Sequence, residues 1–204
     1  EVVPNLDDAA IAEIEASIQA PGNYKKPESI AEWMAENRQR LVDEQVHKAG
    51  LDGTTGKIIC IGYAWDVAKP MVLTSVEPNI ISAFFAEIKL QTAPVSVIGH
   101  NVSWDLRYIW QRAVVHGIKP PWQVRFQGKP WDHLDTMRIW NDDPQKKISL
   151  DRLCKVLGVP TSKGDLDGSK IWQAYKDGRI NDIAEYCKAD VIATRQCYNR
   201  MVFA

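Results

Sequence analysis

The feature that most constrains this chain is a change of hydrophobic period at Lys57. Before it, apolar residues recur at helical spacing, with Ile11, Ile14 and Ile18 on one stripe and Ile30, Trp33, Met34 and Leu41 on another. After it, Ile58-Ile59-Cys60-Ile61-Gly62-Tyr63-Ala64-Trp65 is an almost unbroken apolar run, the pattern of a strand covered on both faces. A strand of that kind must lie under helices. The charged, amphipathic stretch 5–49 therefore reads as a solvated helical insertion lying on the core, with its second helix opened by a Ser29–Glu32 capping box. Glu1-Val2-Val3-Pro4-Asn5 reads as the tail of a first strand that begins before residue 1.

Beyond the run, Met71–Thr74 is expected as a neighbouring strand. Ile81, Phe84, Phe85 and Ile88 mark a helix, and 95–98 a further buried strand. A helix from about Trp104 to His116 should stop at Gly117, and 118–133, with Pro120, Pro121, Gly128 and Pro130, should be loop. A strand is expected over 134–139, a short helix over 149–157 and a long one over 182–201. Strands that come first as neighbours and then alternate with helices predict an α/β class, a mixed sheet with flanking helices. With 204 residues, 1–204 reads as a single domain carrying the 5–49 insertion.

Composition excludes several functions. Lys plus Arg number 25 against 26 for Asp plus Glu, so the chain is no histone-like electrostatic binder. No apolar run approaches the ~20 residues of a membrane span, and no secretory leader is read at the start. Cys60, Cys154, Cys187 and Cys197 show no C-x-x-C pair and no zinc spacing. They read as buried free thiols of a reducing, cytoplasmic setting.

Two local patterns carry candidate chemistry. In Gly99-His100-Asn101-Val102-Ser103-Trp104-Asp105 a buried strand gives way to a helix, placing an aspartate at the carboxyl edge of a sheet, where open α/β sheets hold their sites. Asn101, Ser103 and Asp105 are equally natural helix caps. In Tyr186-Cys187-Lys188-Ala189-Asp190, Tyr186 and Asp190 share a helix face about 6 Å apart along the axis. Ile183, Cys187, Val191 and Thr194 turn that face inward, and an aspartate beside it needs a partner, of which a metal ion is one.

Taken together and in this order, the patterns resemble the 3′–5′ exonucleases of the DEDD superfamily. His100 to Asp105 is similar to the second motif, with Trp104 where Phe or Tyr is usual. Tyr186 to Asp190 matches the tyrosine form of the third, Y-x-x-x-D; the histidine form would need His at position 185, which is Glu185. Glu1-Val2-Val3-Pro4-Asn5 resembles the stretch after the first-motif Asp in predicted exonucleases related to the proofreading domain of B-family polymerases, many of them phage-encoded. Glu1 is then the first-motif glutamate, with its Asp two residues before residue 1. Gly164-Asp165-Leu166-Asp167-Gly168-Ser169 is similar to the same group.

The resemblance implies a ribonuclease H-like fold and hydrolysis of single-stranded DNA from its 3′ end. It also implies two Mg²⁺ or Mn²⁺ ions on the missing Asp, Glu1, Asp105 and Asp190, with Tyr186 positioning the attacking water. His100, Asn101, Trp104, Arg125 and Lys129 are the expected nucleic-acid contacts. The loop with Trp122, Arg125, Phe126, Lys129 and Trp131 mixes aromatic faces and cations, as a single-strand channel does, or is simply anchored to the core by its tryptophans. Asp135, Asp165 and Asp167 are expected to cap helices, shape turns or support the site acids. The alternatives are an exoribonuclease of the same fold and a non-catalytic nucleic-acid-binding module. Protein partners are not legible, and no membrane is expected.

Overall fold

The computed structural model describes residues 1–128, 132–143, 145–161 and 164–204. The chain divides into two compact units, Val2–Lys57 and Glu1 with Ile58–Ala204.

In the smaller unit, β1 (Val2–Pro4) is followed by α1 (Asp8–Ser17) and α2 (Pro27–Gly50), and β2 (Gly56–Ile58) is the hydrogen-bonded neighbour of β1. Asp7 caps α1 by accepting the Ala10 N–H at 2.8 Å. The expected Ser29–Glu32 capping box is not formed. Pro27 stands in the first turn, where its fixed φ suits a helix start, and the Ser29 hydroxyl donates to Lys26 O at 2.9 Å instead of accepting. Gly50 is needed where α2 meets β1: a Cβ there would come within 2.9 Å of Pro4.

The larger unit holds β3 (Cys60–Tyr63), β4 (Met71–Thr74), α3 (Glu77–Lys89), β5 (Ile98–Gly99), α4 (Val102–Val115), β6 (Leu134–Asp135), α5 (Thr136–Asn141), α6 (Leu150–Leu157), a 3₁₀ turn (Gly168–Lys170), α7 (Ile171–Lys176) and α8 (Ile180–Met201). β3 pairs antiparallel with β4, Cys60 opposite Thr74 and Tyr63 opposite Met71. β5 pairs parallel with β6, Ile98 opposite Leu134. The class is thus mixed α/β, with the described strands in three two-stranded sheets.

Three strand expectations need correction. The apolar run is not one strand, because the chain changes partners at Ile59: its N–H donates to Glu1 O at 3.0 Å, and β3 then turns to β4. The buried strand at 95–98 shrinks to Ile98–Gly99, with Ile98 exposed, since the Val95 N–H is taken by Gln123 O at 2.7 Å in the following loop. The strand over 134–139 lasts two residues. Asp135 accepts the Met137 N–H at 3.0 Å and so starts a helix. Helix α7 has no counterpart among the elements expected from periodicity.

α8 organises this unit, lying against β3, β4, β5, α5, α6 and α7. Its inward stripe, Ile183, Cys187, Ala193 and Cys197, is buried. Gly62 on β3 makes the approach feasible, because a Cβ there would sit 2.7 Å from Cys187 Sγ and 3.2 Å from the Cys187 carbonyl. All four cysteines are buried free thiols. Among the described residues no helix is long and apolar enough to cross a membrane.

Candidate active site

The acids proposed from sequence come from three separate parts of the larger unit. Glu1 lies alongside the start of β3, its backbone N donating to Cys60 O at 2.8 Å. Asp105 stands in the first turn of α4. That helix starts abruptly at Asn101, which adopts the left-handed conformation (φ 61°, ψ 31°) and gives no side-chain cap. Gly99, two residues earlier, has no room for a side chain, since a Cβ would meet Val102 at 2.5 Å. Tyr186 and Asp190 lie on α8, one turn apart.

These groups share one electrostatic neighbourhood. Asp105 is open to solvent at its surface yet crowded by protein atoms, and this desolvation pushes its carboxyl up to about 7. The Glu1 amino group pulls it down, while the Glu1 and Asp135 carboxylates push it up. The Tyr186 phenol is raised above its ordinary value of 10, first by burial and then by the Asp190 and Glu1 carboxylates, and Asp167 adds to the same field. Glu1 therefore bears on both Asp105 and Tyr186. Among the described residues, no group of three or more His, Cys, Asp or Glu side chains is placed to hold a metal ion.

The rotation of α8 is fixed by a contact with no sequence signature. Cys187 and Cys60 act on each other, the Cys60 thiol being lowered and that of Cys187 raised. A second thiol pair, Cys154 and Cys197 at 3.5 Å, lies further along the helix, and burial raises both of its thiols. With Cys187 turned to β3, Tyr186 takes the adjacent position on the rim. The glycine in an otherwise apolar strand, Gly62, was the one local signal of this approach.

The expected nucleic-acid contacts separate. Asn101 is exposed, and Trp104 is 36% exposed and packed on Tyr108 with ring centroids 5.2 Å apart. His100 uses both ring nitrogens internally, on Thr136 Oγ1 at 2.9 Å and Ile148 O at 2.8 Å. Arg125 is exposed beside Asp132, and Lys129 lies outside the described residues, as does Trp131. In the same loop Trp122 is exposed, whereas Phe126 is buried against Phe85 with centroids 5.1 Å apart. A surface cleft of about 590 Å³ opens there between Trp110, Pro120, Val124 and Arg125. Of the remaining acids, Asp135 caps α5, and Asp167 caps the 3₁₀ turn by accepting the Ser169 N–H at 3.0 Å.

The fold defines a mixed α/β protein, with Asp105 at the start of one helix and Tyr186 and Asp190 on the flank of another. Residues 60–204 match the model of a family described as a predicted 3′–5′ exonuclease related to the exonuclease domain of PolB, and the chain belongs to that family. The match takes in Asp105, Tyr186 and Asp190. The chain is also similar to an uncharacterized protein of Methanocaldococcus jannaschii, 22% identical over 167 residues that make up 77% of this chain and 92% of that one. No solved structure matches the chain.

Proposed function

We propose that the protein is a metal-dependent 3′–5′ exonuclease of single-stranded DNA, of ribonuclease H-like type and tyrosine DEDD form. The observation that carries this reading is the convergence of Glu1, Asp105, Tyr186 and Asp190 on one electrostatic neighbourhood within a chain of the exonuclease-related family. The donor set fits a hard cation. Its donors would all be carboxylate oxygens, the ligand type that hard cations take. Glu1, Asp105 and Asp190 are the residues that would hold Mg²⁺ or Mn²⁺. When bound, such ions supply charge neutralisation at the attacking and leaving oxygens of a phosphodiester.

The chain's own groups would do the rest. Tyr186 stays protonated at neutral pH, since burial and the Asp190 and Glu1 carboxylates raise its phenol. Its oxygen keeps lone pairs that accept a hydrogen bond from a water, so Tyr186 orients the nucleophile instead of taking its proton. Asn101 and Trp104, exposed on the turn before Asp105, would meet the 3′-terminal nucleotide, Trp104 offering a stacking face.

The test compares linear and circular single-stranded DNA with Mg²⁺ or Mn²⁺. We expect mononucleotides from free 3′ ends, protection of circles and of blocked 3′ ends, and arrest by EDTA. Asp105→Ala and Asp190→Ala should abolish release, and Tyr186→Phe should lower kcat by about 10²-fold with little change in binding. Cutting of circles would make the protein an endonuclease. Faster hydrolysis of RNA would move the substrate, and binding without cleavage would make it a nucleic-acid-binding module.

A further inference from the structure

The turn that carries Asn101 and delivers Asp105 is gripped from a distant stretch of chain. Asp135 Oδ1 accepts the Asn101 N–H at 2.9 Å and the Met137 N–H at 3.0 Å, so one oxygen both holds the α4 turn and caps α5. Asp135 is 2% exposed, and its second oxygen has Arg138 Nε at 3.7 Å as a counter-charge. His100, the residue before Asn101, reaches the other way. A carbonyl has no proton to give, so a ring hydrogen is on Nε2 and is donated to Ile148 O, while Nδ1 pairs with the Thr136 hydroxyl. Burial lowers the His100 pKa. Thr136 Oγ1 also lies 3.2 Å from Gly99 O and is itself fully buried.

The grip has a physical purpose. A non-glycine residue in the left-handed region costs of order 1 kcal/mol and persists only where its surroundings over-determine it. Asn101 provides no side-chain cap, so the start of α4 lacks the usual capping hydrogen bond from its own N-cap residue. The hydrogen bonds of Asp135 and His100 hold the turn instead, and Asp105 is one turn further along. A shift of about 1 Å in a reacting group costs on the order of 10²-fold in rate.

We propose that His100 and Asp135 are positioning residues, a two-sided clamp on the β5–α4 turn that aims Asp105 into the acidic centre and leaves the Asn101 side chain facing outward. This rests on the exonuclease reading and refines it. His100 becomes a support of the site, with no ring nitrogen left for nucleic acid.

The test uses the full chain and three variants, with amide hydrogen exchange at Asn101, Mn²⁺ binding read by paramagnetic broadening at the Asp105 amide, and steady-state hydrolysis of single-stranded DNA. Asp135→Ala should expose the Asn101 amide to exchange, lower kcat by about 10²-fold and leave KM within about twofold. Asp135→Asn, which keeps the accepting oxygen, should restore most of the protection and the rate. Thr136→Val, a milder change that removes the hydroxyl lying between His100 Nδ1 and Gly99 O, should give an intermediate loss and stays informative if Asp135→Ala does not fold. Unchanged Asn101 protection in Asp135→Ala, or lost protection with unchanged kcat and Mn²⁺ broadening, would overturn the clamp. If the wild type binds Mn²⁺ but cleaves nothing, the exonuclease reading fails, and the clamp stands or falls on the protection and broadening data.

Discussion

Helix α4 is held at both ends by buried polar groups, and the two ends are built on different principles. At its C-terminal end Glu77, from the first turn of α3, receives Arg112 through two hydrogen bonds of 2.8 and 2.7 Å, the His116 ring at 2.6 Å and the Ile58 N–H at 2.7 Å. Every oxygen lone pair that burial would leave wanting is used, and opposite charges face each other. At the N-terminal end Asp135 holds the Asn101 N–H, and Asp105, one turn on, has the Glu1 amino group and the Glu1 and Asp135 carboxylates for neighbours. One end is arranged for stability. At the other, desolvation pushes the Asp105 carboxyl up to about 7, a shift of the kind found at functional sites.

Breaking the ionic end should have the largest effect. Glu77→Ala takes the carboxylate away from a buried guanidinium and should cost about 3–5 kcal/mol of unfolding free energy, measured by urea denaturation. A cost below about 1 kcal/mol would mean that Arg112 finds another partner and that the two ends are not so different.

The other end should respond with the opposite sign. Raising the folded pKa of Asp105 to about 7 from its ordinary 3.8 means that ionising it opposes folding as pH climbs through that window. Asp105→Asn should therefore raise the Tm of the metal-free protein at pH 8 by a few degrees or less, because solvent contact offsets part of the desolvation. The gain should shrink as pH falls below 7 and when Mg²⁺ is added. A fall in Tm at pH 8 would contradict the desolvation account.

The smallest effect separates the ends by pH. The folded His100 pKa is lowered from 6.5, chiefly by burial, so its contribution is complete above 6.5 and is lost as pH falls through the folded value. Burial would raise Glu77, but the Arg112, His116 and Ile58 hydrogen bonds outweigh it and hold the folded pKa below 4.5, so that contribution survives until pH falls lower still. Amide exchange followed on acidification should open residues 100–105 before it opens the Arg112–Glu77 end. Simultaneous opening would mean that the two ends act as one unit.

Much of the helical framework was legible in the sequence because helix formation is local. The stripe of Ile81, Phe85 and Ile88 predicts α3, Gly117 and Gly158 stand at helix ends with positive φ, and Tyr186 and Asp190 share a face by spacing alone. The strands were less legible. An apolar run says that a segment is buried and leaves open which partner each residue bonds, so 58–65 divided at Ile59 and 95–98 and 134–139 shrank to two-residue ladders. Asp135 shows why: read as a strand residue, it puts its side chain on the next helix turn and ends the ladder itself.

The sequence by itself determined the family, the placing of candidate acids at the start of α4 and on the flank of α8, and the helices that carry them. Only the tertiary structure decided how those acids are held. The Asn101 N–H finds Asp135, the His100 ring spans Thr136 and Ile148, and Cys187 turns α8 onto the bare backbone of Gly62. Periodicity reports which face of an element is buried, whereas a hydrogen bond between residues far apart in the chain depends on where two elements come to rest, and that is set by packing.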